Sequence, residues 1–366
     1  MSQTTTVAAR SAHVFDRAPV MLYWEITRAC DLACKHCRAD ALPCRDPGEL
    51  DFLEAMGLLS QITDFGSPLP HLVITGGDPL KRHDLGDIVR QAAQLGIPVS
   101  LAPSATPLLT ADALARLKGA GMNGLSLSLD GSTARGHDRL RGVVGCFART
   151  LTAARAATNL GLSLQINTLV SAQTLPDLPE IYALLQTLPI RRWSLFFLIG
   201  VGRGRVLQNI LPEQAEQACH WLFTRAREAP FTVAATEAPF FRRVALERTN
   251  QAGLSQRGGS EPFARSFGIR DGNGIAFVSH RGAVQPSGFL PVAAGNVRDT
   301  SLVDLYRTAP LFSALRDTDQ LRGKCARCPF KAICGGSRAR AYAHSGDYLG
   351  ADPLCEYQPP TGPLVA

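Results

Sequence analysis

The sequence predicts an α/β fold, a partial (β/α)6 barrel of the TIM type followed by a smaller cysteine-rich C-terminal domain. Three observations predict it. Six short apolar runs alternate with amphipathic stretches from Pro19 onward. The runs are near-continuously apolar, as in strands covered on both faces of a parallel sheet. After Gly200 the alternation stops, and the chain ends in loop-rich sequence carrying four cysteines. A length of 366 residues accommodates one barrel-sized unit and an appendage.

The expected strands are 20–26, 71–75, 97–102, 124–129, 162–170 and 192–199. Between them, 49–65, 84–96, 110–121 and 146–161 repeat Leu, Ala and Ile at three- and four-residue spacing, the mark of helices packed by one face. Gly96, Gly121 and Gly161 follow three of these helices, where a left-handed cap belongs. The boundaries read as a loose N-terminus (1–18), a barrel (19–230), a connecting segment (231–270) and a C-terminal domain (271–366). Residues 203–270 hold two helical stretches and the Gly/Ser-rich segment 251–260, while 273–286 reads as a hairpin turning near His280-Arg281-Gly282. In a parallel barrel, chemistry gathers where the strands end.

Hydrophobic residues make up 45% of the chain, and no apolar run reaches the ~18–20 residues that cross a bilayer. The N-terminus lacks the apolar core of a secretory signal, so a cytoplasmic location is expected. In that reducing compartment ten cysteines point to metal rather than to disulfides. The formal charge of +7 reads either as a solvated basic surface or as a match to an anionic substrate or partner. Basic pairs such as Arg191–Arg192 and Arg242–Arg243 are scattered, which argues against nucleic acid.

Cys30, Cys34 and Cys37 stand in a C-x3-C-x2-C loop directly after the first strand. Three thiolates on a short loop can hold three corners of an iron–sulfur cubane and leave the fourth iron open to a small molecule. A zinc knuckle that adds His36 is the competing arrangement, but His36 adjoins Cys37 and adjacent residues rarely share one ion. Further motifs follow in order. Thr75-Gly76-Gly77-Asp78-Pro79 comes after the second strand, and its two glycines would let backbone approach a ligand and leave carbonyls free for an ammonium group. Ser126–Gly131 ends the fourth strand, and 137–142 brings Arg141, whose guanidinium suits a carboxylate.

Together these motifs resemble the radical S-adenosylmethionine (radical SAM) superfamily. The resemblance implies that a [4Fe-4S] cluster on Cys30, Cys34 and Cys37 binds S-adenosyl-L-methionine and cleaves it reductively. The 5′-deoxyadenosyl radical so formed takes a hydrogen atom from a substrate, with an electron donor such as flavodoxin or ferredoxin. It also implies roles for Gly76, Gly77 and Asp78 (Asp where the family has Glu), for Ser128 and Asp130, and for Arg141 on the methionine carboxylate. Ser104 and Asn167, ending the third and fifth strands, would reach the ribose or amino-acid part, and His36 would cover the adenine.

Cys325-x2-Cys328-x5-Cys334-x20-Cys355 supplies four thiolates, enough to close every corner of a second cubane or to hold a structural zinc. The spacing resembles the SPASM/Twitch-type extension of the superfamily, which implies a second [4Fe-4S] cluster that transfers electrons or binds substrate. That family usually has cysteine where Ser287 stands here, and no cysteine lies between Cys219 and Cys325. Cys44, Cys146 and Cys219 are isolated and read as small buried residues.

Two substrate classes stay open, an anionic tetrapyrrole and a peptide. Cys30 lies so near the start that no leader-binding domain is expected before the barrel. The stretches around Cys30 and Cys37, the single auxiliary set and 335–341 resemble relatives that trim porphyrin side chains, with Arg338 and Arg340 suited to propionates. A non-catalytic iron–sulfur carrier or a zinc-stabilised scaffold is the alternative, against which the ligand-facing glycines argue.

Overall fold

The computed structural model describes residues 14–251 and 268–360. The segment 251–260 lies, apart from Gln251, outside the described residues, as do residues 1–13 of the expected loose N-terminus. Where that N-terminus is described it is anchored: the Phe15 N–H donates to Asn273 Oδ1 (2.9 Å), and the Tyr306 hydroxyl donates to Phe15 O (2.6 Å).

All six expected strands form: β1 (Met21–Glu25), β2 (His71–Thr75), β3 (Val99–Leu101), β4 (Gly124–Ser128), β5 (Ser163–Val170) and β6 (Arg192–Phe197). Each pairs in parallel with the next, and the helices α1 (Phe52–Thr63), α2 (Leu85–Gln94), α3 (Ala111–Gly119), α4 (Ala134–Arg141), α5 (Cys146–Asn159) and α6 (Leu178–Gln186) link them. The helix ends follow from local chemistry. Asp51 caps α1 in a reciprocal box with Glu54, and Thr110 accepts from Ala113 N at the head of α3. Gly96, Gly121 and Gly161 adopt φ of 76°, 114° and 68° beyond α2, α3 and α5, as a left-handed cap requires.

The sheet extends past the expected barrel at both edges. After α7 (Pro212–Glu228), β7 (Thr232–Thr236) pairs in parallel with β6, so part of the expected connecting segment is a seventh strand; α8 (Phe241–Gln251) follows. At the other edge, β9 (Gly274–Val278) pairs in parallel with β1 and turns back antiparallel as β10 (Ala283–Gln285). Two-residue strands β8 (Arg270–Asp271) and β11 (Gly295–Asn296) finish the sheet. The C-terminal segment is therefore joined to the barrel by backbone hydrogen bonds. It continues through α9 (Leu302–Thr308), α10 (Pro310–Arg316), α11 (Gly323–Ala326) and α12 (Arg338–Ser345). No described helix is long and apolar enough to cross a membrane.

Alternate strand residues face opposite ways. In β1 and β6, Leu22, Trp24, Trp193 and Leu195 are fully buried in the main core. Trp193 packs among Tyr182 and Trp221 with ring centroids 5.8 and 6.1 Å away, and its indole N–H donates to Thr168 Oγ1 (2.9 Å). Trp193→Ala removes that contact set and opens a cavity under β6, which should cost about 3–5 kcal/mol. Urea unfolding should show the midpoint falling accordingly, and an unchanged midpoint would contradict this packing.

Candidate active site

The loop after β1 carries Cys30, Cys34 and Cys37, and backbone contacts hold it over the end of β2. The Gly77 N–H donates to Thr27 O (2.8 Å) and the Asp78 N–H to Ala29 O (2.7 Å). The approach is too close for side chains: a Cβ on Gly76 would lie 2.4 Å from Thr27 O, and one on Gly77 2.5 Å from both Arg28 O and Ala29 O. Both glycines are thus demanded by the cysteine loop itself, in addition to any ligand they approach. From behind, Arg203 steadies the loop, donating through Nε to Cys34 O (2.9 Å) and through Nη1 to Ala41 O (3.2 Å).

These segments open onto a cavity of about 240 Å³. Cys30, Cys34, Cys37, His36, Gly76, Gly77, Ser104, Ser128, Asp130, Arg141 and Asn167 all line it, so the topology gathers eleven of the sequence-selected residues. Asp78 is the exception. Fully buried, it accepts from Thr106 Oγ1 (2.7 Å), Leu80 N (3.2 Å) and Ser104 N (3.4 Å), and so braces the β2 and β3 loops instead of facing the cavity. Asn167 reaches the cavity from within β5, not from its end, and its Oδ1 accepts from Gln165 Nε2 (2.7 Å).

The donors around sulfur suit an anionic cluster. Leu32 N–H points to Cys30 Sγ (3.3 Å), Ala41 N–H to Cys37 Sγ (3.4 Å) and Arg141 Nη1 to Cys34 Sγ (3.8 Å). Hydrogen bonds of this kind tune iron–sulfur potentials. Burial pushes the Cys30 and Cys34 thiols up, so loading must displace their protons. Among the described residues no three His, Cys, Asp or Glu side chains converge tightly enough for a single ion.

One ion pair stands in the cavity wall beside Cys34. Arg141 is salt-bridged to Asp130, which also accepts from Leu169 N (2.7 Å). Burial alone would raise the Asp130 carboxyl, but Arg141, helped by the Leu169 N–H, holds it below its ordinary value. Burial, then Arg141, lowers both His36 and His137 to about 4, leaving both neutral at pH 7. His137 Nδ1 accepts from Asp130 N (3.0 Å) and fixes the turn carrying that carboxylate.

Some cavity residues were missed from sequence. Arg203 follows the sixth strand and was open to the same strand-end rule, whereas Arg38 carries no signal beyond adjoining Cys37. Phe196 and Phe289 (centroids 6.4 Å apart) also line the wall, Phe289 coming from the distant segment after β10, as does Cys146, read as an isolated buried residue.

The C-terminal cysteines also gather. Cys325, Cys328, Cys334 and Cys355 lie within electrostatic reach of one another, and burial raises the last three thiols to about 11, 12 and 12. The Gly336 N–H points to Cys334 Sγ (3.4 Å) and Arg338 Nη2 to Cys325 Sγ (3.8 Å). Gly336, at φ 67°, leaves room that a Cβ would fill, 3.3 Å from Cys325 Sγ. Cys219, isolated in sequence, is buried within reach of Cys334 and Cys355. Arg338 and Arg340 do not meet the expectation of propionate binding, because both are buried and engaged, Arg340 with Asp352 (3.3 Å).

Two predictions follow from this geometry. Gly77→Ala should displace the cysteine loop, lowering iron bound per chain and costing about 1–3 kcal/mol of stability. Gly86→Ala, in open space on α2, should leave iron loading unchanged. Iron assay with urea unfolding checks both, and full loading of Gly77→Ala would contradict the docking. His137 is neutral when folded but free to protonate near pH 6.5 when unfolded. The stability it contributes is therefore complete above pH 6.5 and is lost as pH falls towards 4, on the order of 2–3 kcal/mol. His137→Gln should flatten that part of the stability–pH curve, and an unaltered slope would contradict the assignment.

Comparison with known proteins agrees with this architecture. Residues 24–185 match the radical SAM superfamily. The AdoMet-dependent heme synthase of Methanosarcina barkeri is 36% identical over 343 residues, covering 93% of this chain and 97% of that protein. The PqqA peptide cyclase of Methylocella silvestris is 28% identical over 347 residues, covering 93% and 88%. In structure, Streptococcus suis SuiB bound to S-adenosylmethionine aligns with a TM-score of 0.71 at 18% identity, over 93% of this chain and 78% of that one. Three thiols and eight of their expected companions on one cavity, with identity spread over nearly the whole chain, place this protein in the radical SAM superfamily.

Proposed function

We propose that the chain oxidatively decarboxylates propionate side chains of a tetrapyrrole, using one cluster on Cys30, Cys34 and Cys37 and a second on Cys325, Cys328, Cys334 and Cys355. The observation that carries the substrate class is an unpaired cation on the cavity wall beside the triad. Arg203 has no carboxylate within ion-pair distance among the described residues, and its Nη2 has no partner. Phe196 and Phe289 add apolar faces to the same cavity for a flat macrocycle. The heme synthase relative, at 36% identity against 28% for the peptide cyclase, supports the same class.

The first cluster, when loaded, supplies the electron that cleaves S-adenosylmethionine to methionine and the 5′-deoxyadenosyl radical. The chain's residues bind and orient. Arg141, held in place by Asp130, presents its guanidinium beside Cys34 for the methionine carboxylate. Gly77 O is already taken by Ser104 Oγ (2.7 Å), which leaves Gly76 to offer free backbone. Neutral His36 can lie against a base without bringing a second positive charge to the sulfonium. Arg203 would fix a propionate with its target carbon towards the triad. Loss of a hydrogen atom from a propionate chain, then of CO2, leaves a vinyl group and releases one electron, so the reaction needs an acceptor.

Incubating the loaded enzyme anaerobically with S-adenosylmethionine, reductant and an iron tetrapyrrole bearing propionates tests this. Mass spectrometry should find product lighter by one CO2 and two hydrogens per processed side chain, and Arg203→Gln should weaken tetrapyrrole binding at least tenfold. A tetrapyrrole that is neither bound nor altered, while a short peptide is, would overturn the substrate class.

A further inference from the structure

Around the C-terminal thiols the chain buries positive charge without carboxylates to match it. Arg338 is fully buried and donates to Gly336 O (3.2 Å), Tyr348 O (3.1 Å) and Gly350 O (2.7 Å), with Nη2 directed at Cys325 Sγ (3.8 Å). Arg270, also buried, donates to Leu315 O (3.1 Å), Gly268 O (3.1 Å) and Arg316 O (3.0 Å) and lies against Gly335, the residue after Cys334. Half-buried Arg242 donates to Ile333 O (3.0 Å), the residue before Cys334, and to Ile269 O. Among the described residues none of the three has a carboxylate within ion-pair distance, unlike Arg340 with Asp352 or Arg243 with Glu216.

Backbone carbonyls satisfy geometry but do not cancel charge, and burying an unpaired cation is costly. Burial lowers Arg242 and Arg270 to about 10, and for Arg270 the charges of Arg242 and Arg338 add to the penalty. Of the nearby acids, Asp271 offsets part of this at Arg270, but by less than Arg242 and Arg338 add. Asp352 is occupied by Arg340, and Glu237 is raised to about 8 by burial and then by Asp271. What remains to balance the three cations is the group on the cysteines. A cubane on four thiolates is a net anion that gains one more negative charge on reduction, so surrounding cations favour its reduced form.

We propose that Arg242, Arg270 and Arg338 raise the reduction potential of the C-terminal cluster, which suits it to the electron transfer that the family resemblance implies. The inference rests on the reading of Cys325, Cys328, Cys334 and Cys355 as cluster ligands. In the proposed reaction the substrate radical loses CO2 and one electron to form the vinyl group, and that is the electron such a cluster is suited to take. Contact with the cavity exists, since Arg340, on the helix that begins at Arg338, has Nη2 3.5 Å from Phe197 O and Leu198 O on the cavity wall.

The test is an EPR-monitored redox titration of the anaerobically loaded full chain. The C-terminal cluster is identified as the signal that S-adenosylmethionine leaves unshifted. In the native protein it should be reduced before the N-terminal cluster. Arg338→Gln and Arg242→Gln should each raise its oxidised-to-reduced ratio at fixed potential about tenfold, a shift of ~59 mV for a one-electron couple. Arg338→Lys, which keeps the charge, should stay within about threefold of native. A merely structural role would alter iron loading but not this potential. Full loading with an unmoved midpoint in both Gln variants, or a native C-terminal cluster reduced last, would overturn the inference while leaving the cluster in place. Native protein holding iron for one cluster only would overturn the cluster reading and the inference with it.

Discussion

Two backbones meet side by side at the end of β2, and the site depends on how closely they do so. Gly76 and Gly77 pass under Thr27–Ala29 with no room for a Cβ, and two N–H···O bonds seal the contact. That contact sets the height of the cysteine loop above the barrel. Ser104 then links the next loop to the same point, donating to Gly77 O while the Cys30 thiol donates to it (3.4 Å). Asp78 works from inside, tying the β2 and β3 loops together through Thr106 and Ser104. The triad is thus held by backbone geometry and by a buried carboxylate that never faces the cavity.

On the opposite wall the organising element is ionic. Asp130 follows β4 directly and Arg141 ends α4, and the guanidinium reaches Cys34 from that pair. Burial raises the stakes of this pairing, because removing either partner would strand the other in a low-dielectric site. The two lowered histidines follow from burial first and then from this guanidinium, beside which a second cation is disfavoured. The C-terminal site uses the reverse arrangement, with cations left unpaired around sulfur. On the proposed reading, the first centre gives electrons to a bound cofactor and the second receives them.

Much of this was legible in the sequence because it is local. Strand periods, helix-ending glycines and the C-x3-C-x2-C loop are written within a few residues of where they act, and eleven of twelve sequence-selected positions outside the C-terminal group reach the cavity. Asp78 did not, because the spacing of a motif says nothing of which way a side chain turns between two loops. Pairing of β9 with β1 joins residues some 250 positions apart through backbone groups that leave no pattern in side chains. Arg338 suited propionates on its charge and motif alone; only the fold shows it enclosed by the carbonyls of Tyr348 and Gly350. Phe289 reaches the cavity for the same non-local reason.

The central claim is that the cavity of Cys30, Cys34 and Cys37 cleaves S-adenosylmethionine by one-electron reduction. Anaerobic reconstitution of the full chain, followed by dithionite and S-adenosylmethionine, tests it most directly by chromatography of the products. The account predicts 5′-deoxyadenosine and methionine in equal amounts from native protein and none from Cys34→Ala. A fully iron-loaded native protein that forms no 5′-deoxyadenosine would contradict it.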